Sequence, residues 1–474
     1  GRCGIYPVEV QVFSAAPICM EEIIIKKDQA SSSKSVELVS DYLENYKYDN
    51  VLSYLKDIHN ADIADILQNL DPVLRLSLLN IIDKDFDPEI LTYLNDSIRE
   101  EIIETLDIKQ LANNAKSLDI DDAVDLAEDL EEKDQTIFLE NLDKEERSLV
   151  EEGLKYPEDS AGRLMQRQFV AVNQSWNVGQ AIDYLRNNKA KLPEDFYDIY
   201  LINNNQEAKG VVPLGRLMGS KREVELNSIT NKELRLIDVN TDQEDVALLF
   251  NKYGLVSAPV INNQKKIIGS ITVDDVVEVI EEEREEDILK LGGVDHTDLY
   301  ESVVTTTKSR ISWLIVNLMT AVVASIVIGL FEAAIEKVVA LAILMPIVAS
   351  MGANAGTQTL TVAVRAIAVK ELTTSNAIKI ITKETLIGGI NGIIFAIIIS
   401  LISIYWFDNL LLGLIIGLAM ILNLLIAGFS GIVIPLVLDK LKIDPALASA
   451  VILTTITDVF GFLSFLGLAT LFLI

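Results

Sequence analysis

The sequence predicts a multi-domain fold: an all-α N-terminal helical stack, an α/β tandem repeat, a long acidic connecting helix and an α-helical membrane domain of five transmembrane helices. Three observations predict it. Five apolar stretches toward the C-terminus each exceed the roughly 20 residues that cross a bilayer core. A degenerate repeat occupies about 164–280. Between repeat and membrane, a run of acids from Asp274 to Asp287 contains one basic residue, Arg284. Within the last apolar stretch stands a lone carboxylate, Asp458, in Thr454-Thr455-Ile456-Thr457-Asp458. An acid near mid-bilayer costs roughly 2.5–3.5 kcal/mol on insertion scales, so it is expected to face a polar path or a partner.

Charge divides the chain in the same way. Residues 308–474 hold nine Lys/Arg and eight Asp/Glu, which leaves 31 basic and 62 acidic residues of the chain's 40 and 70 for 1–307. So acidic a soluble part excludes nucleic acid as an expected partner, because phosphate binding needs a basic surface. It would attract multivalent cations, although most such acids serve only solubility. The two histidines, His59 and His296, and the two cysteines, Cys3 and Cys19, are too few for a zinc or copper site. The available ligands are hard oxygens, suited to Mg²⁺ or Ca²⁺.

Residues 1–33 read as an N-terminal extension. The apolar run in 1–19 is short and broken by Pro7, Glu9 and Gln11, so it is not a convincing signal peptide. Met20 followed by Glu-Glu-Ile-Ile-Ile reads as the natural start, with 1–19 expected to be foreign to the natural chain. Residues 34–155 form a helical N domain of short amphipathic helices. Leu-Asp pairs at 70–71, 106–107, 118–119 and 142–143 each close one apolar run and cap the next. No catalytic constellation appears here.

The domain built on the repeat is expected over 156–273. Val172-Asn173 opens one copy and Val239-Asn240 the other, 67 residues on. Each copy continues with a helix (178–187 and 245–253) and a strand pair. Tyr200-Leu-Ile-Asn-Asn runs to Gly210-Val-Val in the first copy, and Pro259-Val-Ile-Asn-Asn to Gly269-Ser-Ile in the second. Such β-α-β-β-α pairs resemble CBS domains, with Pro259-Val-Ile, Gly269 and Thr272-Val-Asp-Asp the best-matching marks. The resemblance implies a ligand-sensing module, often for adenine nucleotides.

Residues 274–307 form the acidic connecting helix. Positions 274, 278, 281, 282 and 285 fall on one face, where like charges repel by a few tenths of a kcal/mol per pair unless neutralised. Gly292-Gly293 ends the run. A solvated linker is the plain alternative to a cation-responsive helix. The membrane domain, 308–474, has spans at about 311–331, 338–364, 385–407, 409–438 and 446–474. Loops on one side carry Lys308, Arg310, Arg365, Lys370, Lys379, Lys383, Lys440 and Lys442, against Lys337 alone on the other. That bias predicts a cytoplasmic soluble part and an external C-terminus in a multi-pass protein of the inner or plasma membrane.

Asp458 lies twelve residues past Ala446, about 18 Å along a helix and so near mid-membrane. The second span holds Pro346 and then Gly352, Asn354, Gly356, Thr357 and Gln358. Pro removes a helical hydrogen bond, and glycine lets a backbone open or approach a neighbour closely. Tight packing alone would explain the small residues but not the amides together with Asp458.

Pro346 through Arg365, with its Gly-Ala-Asn-x-Gly-x-Gln core, resembles the second transmembrane helix of the MgtE family of magnesium channels or transporters. Lys442-Ile-Asp-Pro-Ala-Leu and Thr457-Asp458-Val459-x-Gly461 resemble that family's fifth, and the acidic helix its "plug". Ala353 departs from the glycine common there. The resemblance implies Mg²⁺ transport through a homodimer pore, with Asp458 as the ion-binding acid and Asn354, Gly352, Gln358 and Gly356 shaping the pore. It further implies gating by cytosolic Mg²⁺ bound to Asp242, Glu244, Asp275, Glu278, Glu283, Glu286, Asp287 and Asp444. Asp121 and Asp125 of the N domain are weaker candidates, and ATP is a further expected ligand of the CBS pair. An enzyme is not expected: an intramembrane aspartyl protease needs two membrane acids. A proton- or sodium-coupled carrier and a non-transporting Mg²⁺ sensor remain as alternatives.

Overall fold

The computed structural model describes residues 29–473 except 83–85, 190–191, 194–195, 232, 295–302 and 374. Cys3, Cys19, Met20 and His296 lie outside the described residues, as do residues 295–302 of the predicted 274–307 segment, whose last residues, 303–307, belong to the first apolar helix. The chain divides into two units, Gly1–Leu154 and Lys155–Ile474.

The first unit is a stack of short helices with a strict beat. Leu70, Leu94, Leu106, Leu118, Leu130 and Leu142 fall on a twelve-residue period, each followed by Asp, Asn or Glu. Leu70, Leu106, Leu118 and Leu142 take extended backbone (ψ 147–156°), which stops a helix, and bury their side chains at least partly. The polar residue behind then starts the next helix. Asn95 accepts from the Ile98 N–H, Asp107 from Lys109, and Asp143 forms a capping box with Glu146. Ten-residue helices such as Asn60–Asn69 and Glu132–Asn141 follow from this punctuation. Arg75, 4% exposed, donates to the carbonyls of Leu67 and Leu70 and pairs with Glu101. It thereby satisfies carbonyls left open at the end of the preceding helix.

The second unit opens with the duplicated module. Strands β1 (Ala171–Asn173), β2 (Asp198–Ile202) and β3 (Ala208–Pro213) form one sheet in the order β1-β2-β3; β4 (Ile237–Asp238), β5 (Ser257–Ile261) and β6 (Ile267–Thr272) form its counterpart. In each sheet the first pair is parallel and the second antiparallel. The register slips at equivalent places, Leu201/Ile202 and Val260/Ile261. The expected first-copy helix is Val178–Asn187; in the second, the helix Gln243–Tyr253 starts two residues ahead of the expected 245 because Asp242 caps it.

The plug helix, Val273–Leu291, starts with a Thr272–Asp275 capping box and stops at Gly292, with Gly293 left-handed at φ 72°. Five apolar helices follow: Val303–Gly329, Ala340–Ala368, Ala377–Phe407, Leu410–Lys440 and Pro445–Phe472, called spans one to five. Spans one and three begin eight residues before the predicted 311 and 385. Hydropathy marks the stretch that hydrocarbon tolerates, whereas helical hydrogen bonding continues through charged turns carrying Lys308, Arg310, Lys379 and Lys383. Span four is the most buried, with spans two, three and five packed against it. Gly388 of span three and Gly428 of span four meet backbone to backbone, where any side chain would strike a carbonyl.

Candidate ion path and acidic joint

Span two has two faces. Leu341, Leu344, Val348, Gly352, Gly356, Leu360, Ala363 and Val364 are buried against the bundle. Ser350, Asn354, Thr357, Gln358, Thr361 and Arg365 are exposed, at spacings that place them on one opposite stripe. A lipid-facing helix would show the reverse. Through Pro346 and the glycines the helix stays unbroken, so of opening and close approach the chain takes close approach. Gly352 fits against the Asn423 amide and Gly356 against the Leu453 side chain. The two predicted glycines therefore sit on the packed face, and the two amides on the open one.

Span five buries Ser449, Leu453, Thr457, Gly461 and Phe465 and leaves Asp458 partly exposed. The hydroxyls of Thr454, Thr455 and Thr457 are absorbed by carbonyls of their own helix. Asp458 has no hydrogen-bond or ion-pair partner among the described residues, and the Asn354 amide reaches only Ser350, at 3.4 Å. Sequence reasoning overlooked Asn423. It is wholly buried in span four, its Nδ2 donates to the Val348 carbonyl of span two at 2.8 Å, and it abuts Gly461 of span five.

A second set of predicted residues gathers beneath the membrane domain. Backbone bonds from Ala161 to the Thr241 carbonyl and from Gln243 to the Asp159 carbonyl lay the segment after Tyr156 along the start of the Gln243–Tyr253 helix. This brings Asp159 into the field of Glu283, together with Asp242. Burial, then the charges of Glu283, Asp242, Asp287 and Asp245, push the Glu244 carboxyl up to about 7, although it keeps an exposed edge. Glu283 is raised chiefly by burial, against a 2.8 Å hydrogen bond from Gln243. Asp287 is raised by burial and then by Asp444.

At the far end of the plug, Lys290 bonds Asp444 at 2.8 Å and also pairs with Glu286. Burial lowers the Lys290 pKa, but the two carboxylates outweigh it and leave it above the ordinary lysine value. Asp444 also caps span five by accepting from the Ala446 N–H. Lys370, after span two, pairs with Asp245. Two groups thus form, Asp242/Glu244/Glu283/Asp287 and Glu286/Asp287/Asp444, with Asp159, Asp245, Lys290 and Lys370 as members that sequence reasoning missed. Lys290 carried a signal, its i+4 spacing from Glu286; Asp159 carried none. Asp275 is engaged by Thr272 at the plug's cap and Glu278 is exposed. In the other unit Asp121 is buried and Asp125 exposed. No three acids converge closely enough to ligate a bare metal ion among the described residues.

The cleft between the two copies of the duplicated module is closed by Tyr200. Its hydroxyl lies 2.6 Å from Ser270 Oγ and 2.9 Å from Ser257 Oγ, and burial pushes its pKa up to about 12. Asp198 accepts from Ser257 at 2.8 Å, and its carboxyl is raised by burial. The remaining cavity, lined by Gln168, Phe169 and Thr272 among others, measures about 20 Å³. A nucleotide does not fit there without displacing Tyr200 or Phe169.

Three family models match this chain: a divalent cation transporter domain over 345–468, an MgtE intracellular N domain over 58–159 and a CBS domain over 226–282. A magnesium transporter MgtE from Bacillus subtilis (strain 168) is 33% identical over 322 residues, covering 68% of this chain and 71% of that protein. A magnesium transporter MgtE from Thermus thermophilus is 34% identical over 322 residues, with 67% and 71% covered. Among solved structures, the cytosolic domain of the Mg²⁺ channel MgtE in complex with ATP is similar at a TM-score of 0.46 and 26% identity, covering 52% of this chain and 99% of that one. The family is one of transporters and not of enzymes. On the shared length and identity of these relatives, the chain belongs to the MgtE family of magnesium transporters.

Proposed function

We propose that the chain conducts Mg²⁺ along a path between two copies, lined by the polar stripe of span two and by Asp458. The observation that carries this reading is the stripe itself, exposed in one copy on a helix whose other face is packed. Against hydrocarbon its amides would have no partners beyond their own helix. A twofold-related copy would cover them and present every ligand twice. Paired Asp458 carboxylates suit an ion that sheds its inner waters reluctantly and is held through them. Conduction then requires binding that is neither too weak nor too tight. In this reading Asn354 and Gln358 supply polar groups to the path, and Gly352 and Gly356 let the bundle close behind them.

The acidic joint would be the regulator. With cytosolic Mg²⁺ scarce, Asp242, Glu244, Glu283 and Asp287 repel one another, as Glu286 and Asp287 repel Asp444, and the plug moves from span five. Hydrated Mg²⁺ would bridge these carboxylates and restore the compact, closed arrangement. Moving such an equilibrium from 1:99 to 99:1 needs about 5.5 kcal/mol of differential binding, within reach of several weak sites. Asp275, Glu278, Asp121 and Asp125 belong to this reading as subsidiary acids. The soluble part lies in the cytoplasm, in accord with the basic loops. ATP would enter the CBS pair only with movement of Tyr200 or Phe169, or on another face of the module.

The test is a cation-flux assay on the purified full chain in liposomes, with internal Mg²⁺ varied. Wild type is expected to conduct at low internal Mg²⁺ and to shut at millimolar levels. Flux that follows an imposed pH or sodium gradient would favour the coupled carrier instead, and Mg²⁺ binding without flux would favour the sensor.

A further inference from the structure

We propose that Asn423 is a positioning residue for transport: its amide pins span two to span five beside Asp458 and thereby sets how Asn354 and Asp458 are presented to the ion. The inference rests on the reading that these two residues line the path.

Asn423 is 0% exposed in the middle of span four. Its Nδ2 donates to the Val348 carbonyl at 2.8 Å, four residues before Gly352 and six before Asn354. The same amide fills a notch made by two glycines. A methyl group at Gly352 would overlap Nδ2, and one at Gly461 would lie 2.9 Å from it. Gly461 is three residues beyond Asp458, less than one helical turn. One side chain thus touches both helices that carry the path's polar groups and belongs to neither.

Stability does not account for it. The Asn423 Oδ1 finds no hydrogen-bond partner among the described residues. A buried amide oxygen left unsatisfied is a cost that leucine, larger but branched at the same carbon, would not bear. Span four is otherwise almost wholly apolar there, with Ala419, Met420 and Leu424 buried alongside. What asparagine supplies and leucine cannot is a directional bond to span two. That bond fixes the rotation and height of span two, while the Gly461 contact keys span five to the same group. Functional groups need such support to hold their geometry.

The experiment compares wild type with Asn423→Leu, Asn423→Ser and Asn423→Ala as full chains in liposomes, with Asp458→Ala alongside. It reads Mg²⁺ flux, the ratio of Mg²⁺ to Ca²⁺ flux, and the thermal melting of the detergent-extracted protein. Asn423→Leu is expected to melt at or above wild type yet lose about 10-fold in Mg²⁺ flux, with a relaxed ion ratio, as misplaced functional groups do. Asn423→Ser retains a donor and should keep its ratio nearer wild type than Asn423→Ala. Wild-type flux and ratio in Asn423→Leu would overturn the proposal. Should that variant not assemble, equal relaxation in the Ser and Ala variants would overturn it. Asp458→Ala separates the two readings: if it still conducts, the path reading itself fails; if it is inactive while Asn423→Leu is unaffected, only this inference fails.

Discussion

Span five and the plug helix use carboxylates in opposite ways. Asp458 is a single acid among apolar residues, with no partner among the described residues, whereas the plug gathers acids from three chain segments around Glu244 and Asp444. In hydrocarbon one charge is expensive, so one residue carries the meaning. In water a single exposed acid is cheap and means little. There, significance arises only where folding brings several acids together and partly withdraws them from solvent, as the raised pKa values of Glu244, Glu283 and Asp287 record.

That contrast is open to attack, first at its strongest point. Replacing Asp458 by Ala or Asn should cut Mg²⁺ flux by roughly 100-fold or more, since a lost charged contact is worth about 1.5–3 kcal/mol per side and a path between two copies, as proposed, would lose two. Single neutralisations at the joint (Glu244→Gln, Glu283→Gln or Asp287→Asn) should leave maximal flux intact. Each should raise the closing Mg²⁺ concentration only about 2–5-fold, the worth of one partly exposed, solvent-screened charge pair. A plug acid whose loss abolished flux, or an active Asp458→Ala, would erase the distinction.

Next comes pH. The folded pKa of Glu244 is raised from 4.5 to about 7, so the compact state binds more protons than the separated one between those values. Its stability therefore falls as pH rises through that window and is lowest above 7, where Mg²⁺ has most to offset. In Mg²⁺-free protein, protease protection of the plug should be greater at pH 6 than at pH 8, and Glu244→Gln should flatten the difference. Protection that rises with pH would contradict the sign.

The smallest effect concerns Lys290. Its bond to Asp444 ties the plug's end to the start of span five, while Glu286, one turn back on the plug, holds the same ammonium from its own helix. Because these groups are partly exposed, Lys290→Met should raise the closing Mg²⁺ concentration by only about 2–4-fold. A flux assay with stepped internal Mg²⁺ resolves this. A downward shift would mean that the ammonium competes with Mg²⁺ and does not assist it.

Much of the fold was legible in the residues. Apolar runs located all five spans, and the recurrence of Val172-Asn173 at Val239-Asn240 exposed the duplication. Leu-Asp pairs announced the helical stack, although the full twelve-residue beat, which includes Leu94-Asn95 and Leu130-Glu131, emerged only with the helices in place. Asp458 stood out because nothing near it in sequence could neutralise it. Asn423 did not, since one amide in a 31-residue span is unremarkable until its neighbours are known. Asp159 was invisible as a member of a site, because its partners are distant in sequence, and Lys290 showed only its i+4 partner Glu286, not Asp444.

By itself, then, the chain determined its spans, its duplicated module, its charge segregation and its single intramembrane acid. These are local properties, set by the cost of moving each segment out of water. Only tertiary structure decided which face of span two is packed, which acids meet the plug, and that an amide from span four sits between two glycines. Those depend on rotation and close approach between helices, and no spacing within one helix encodes where its neighbour lies.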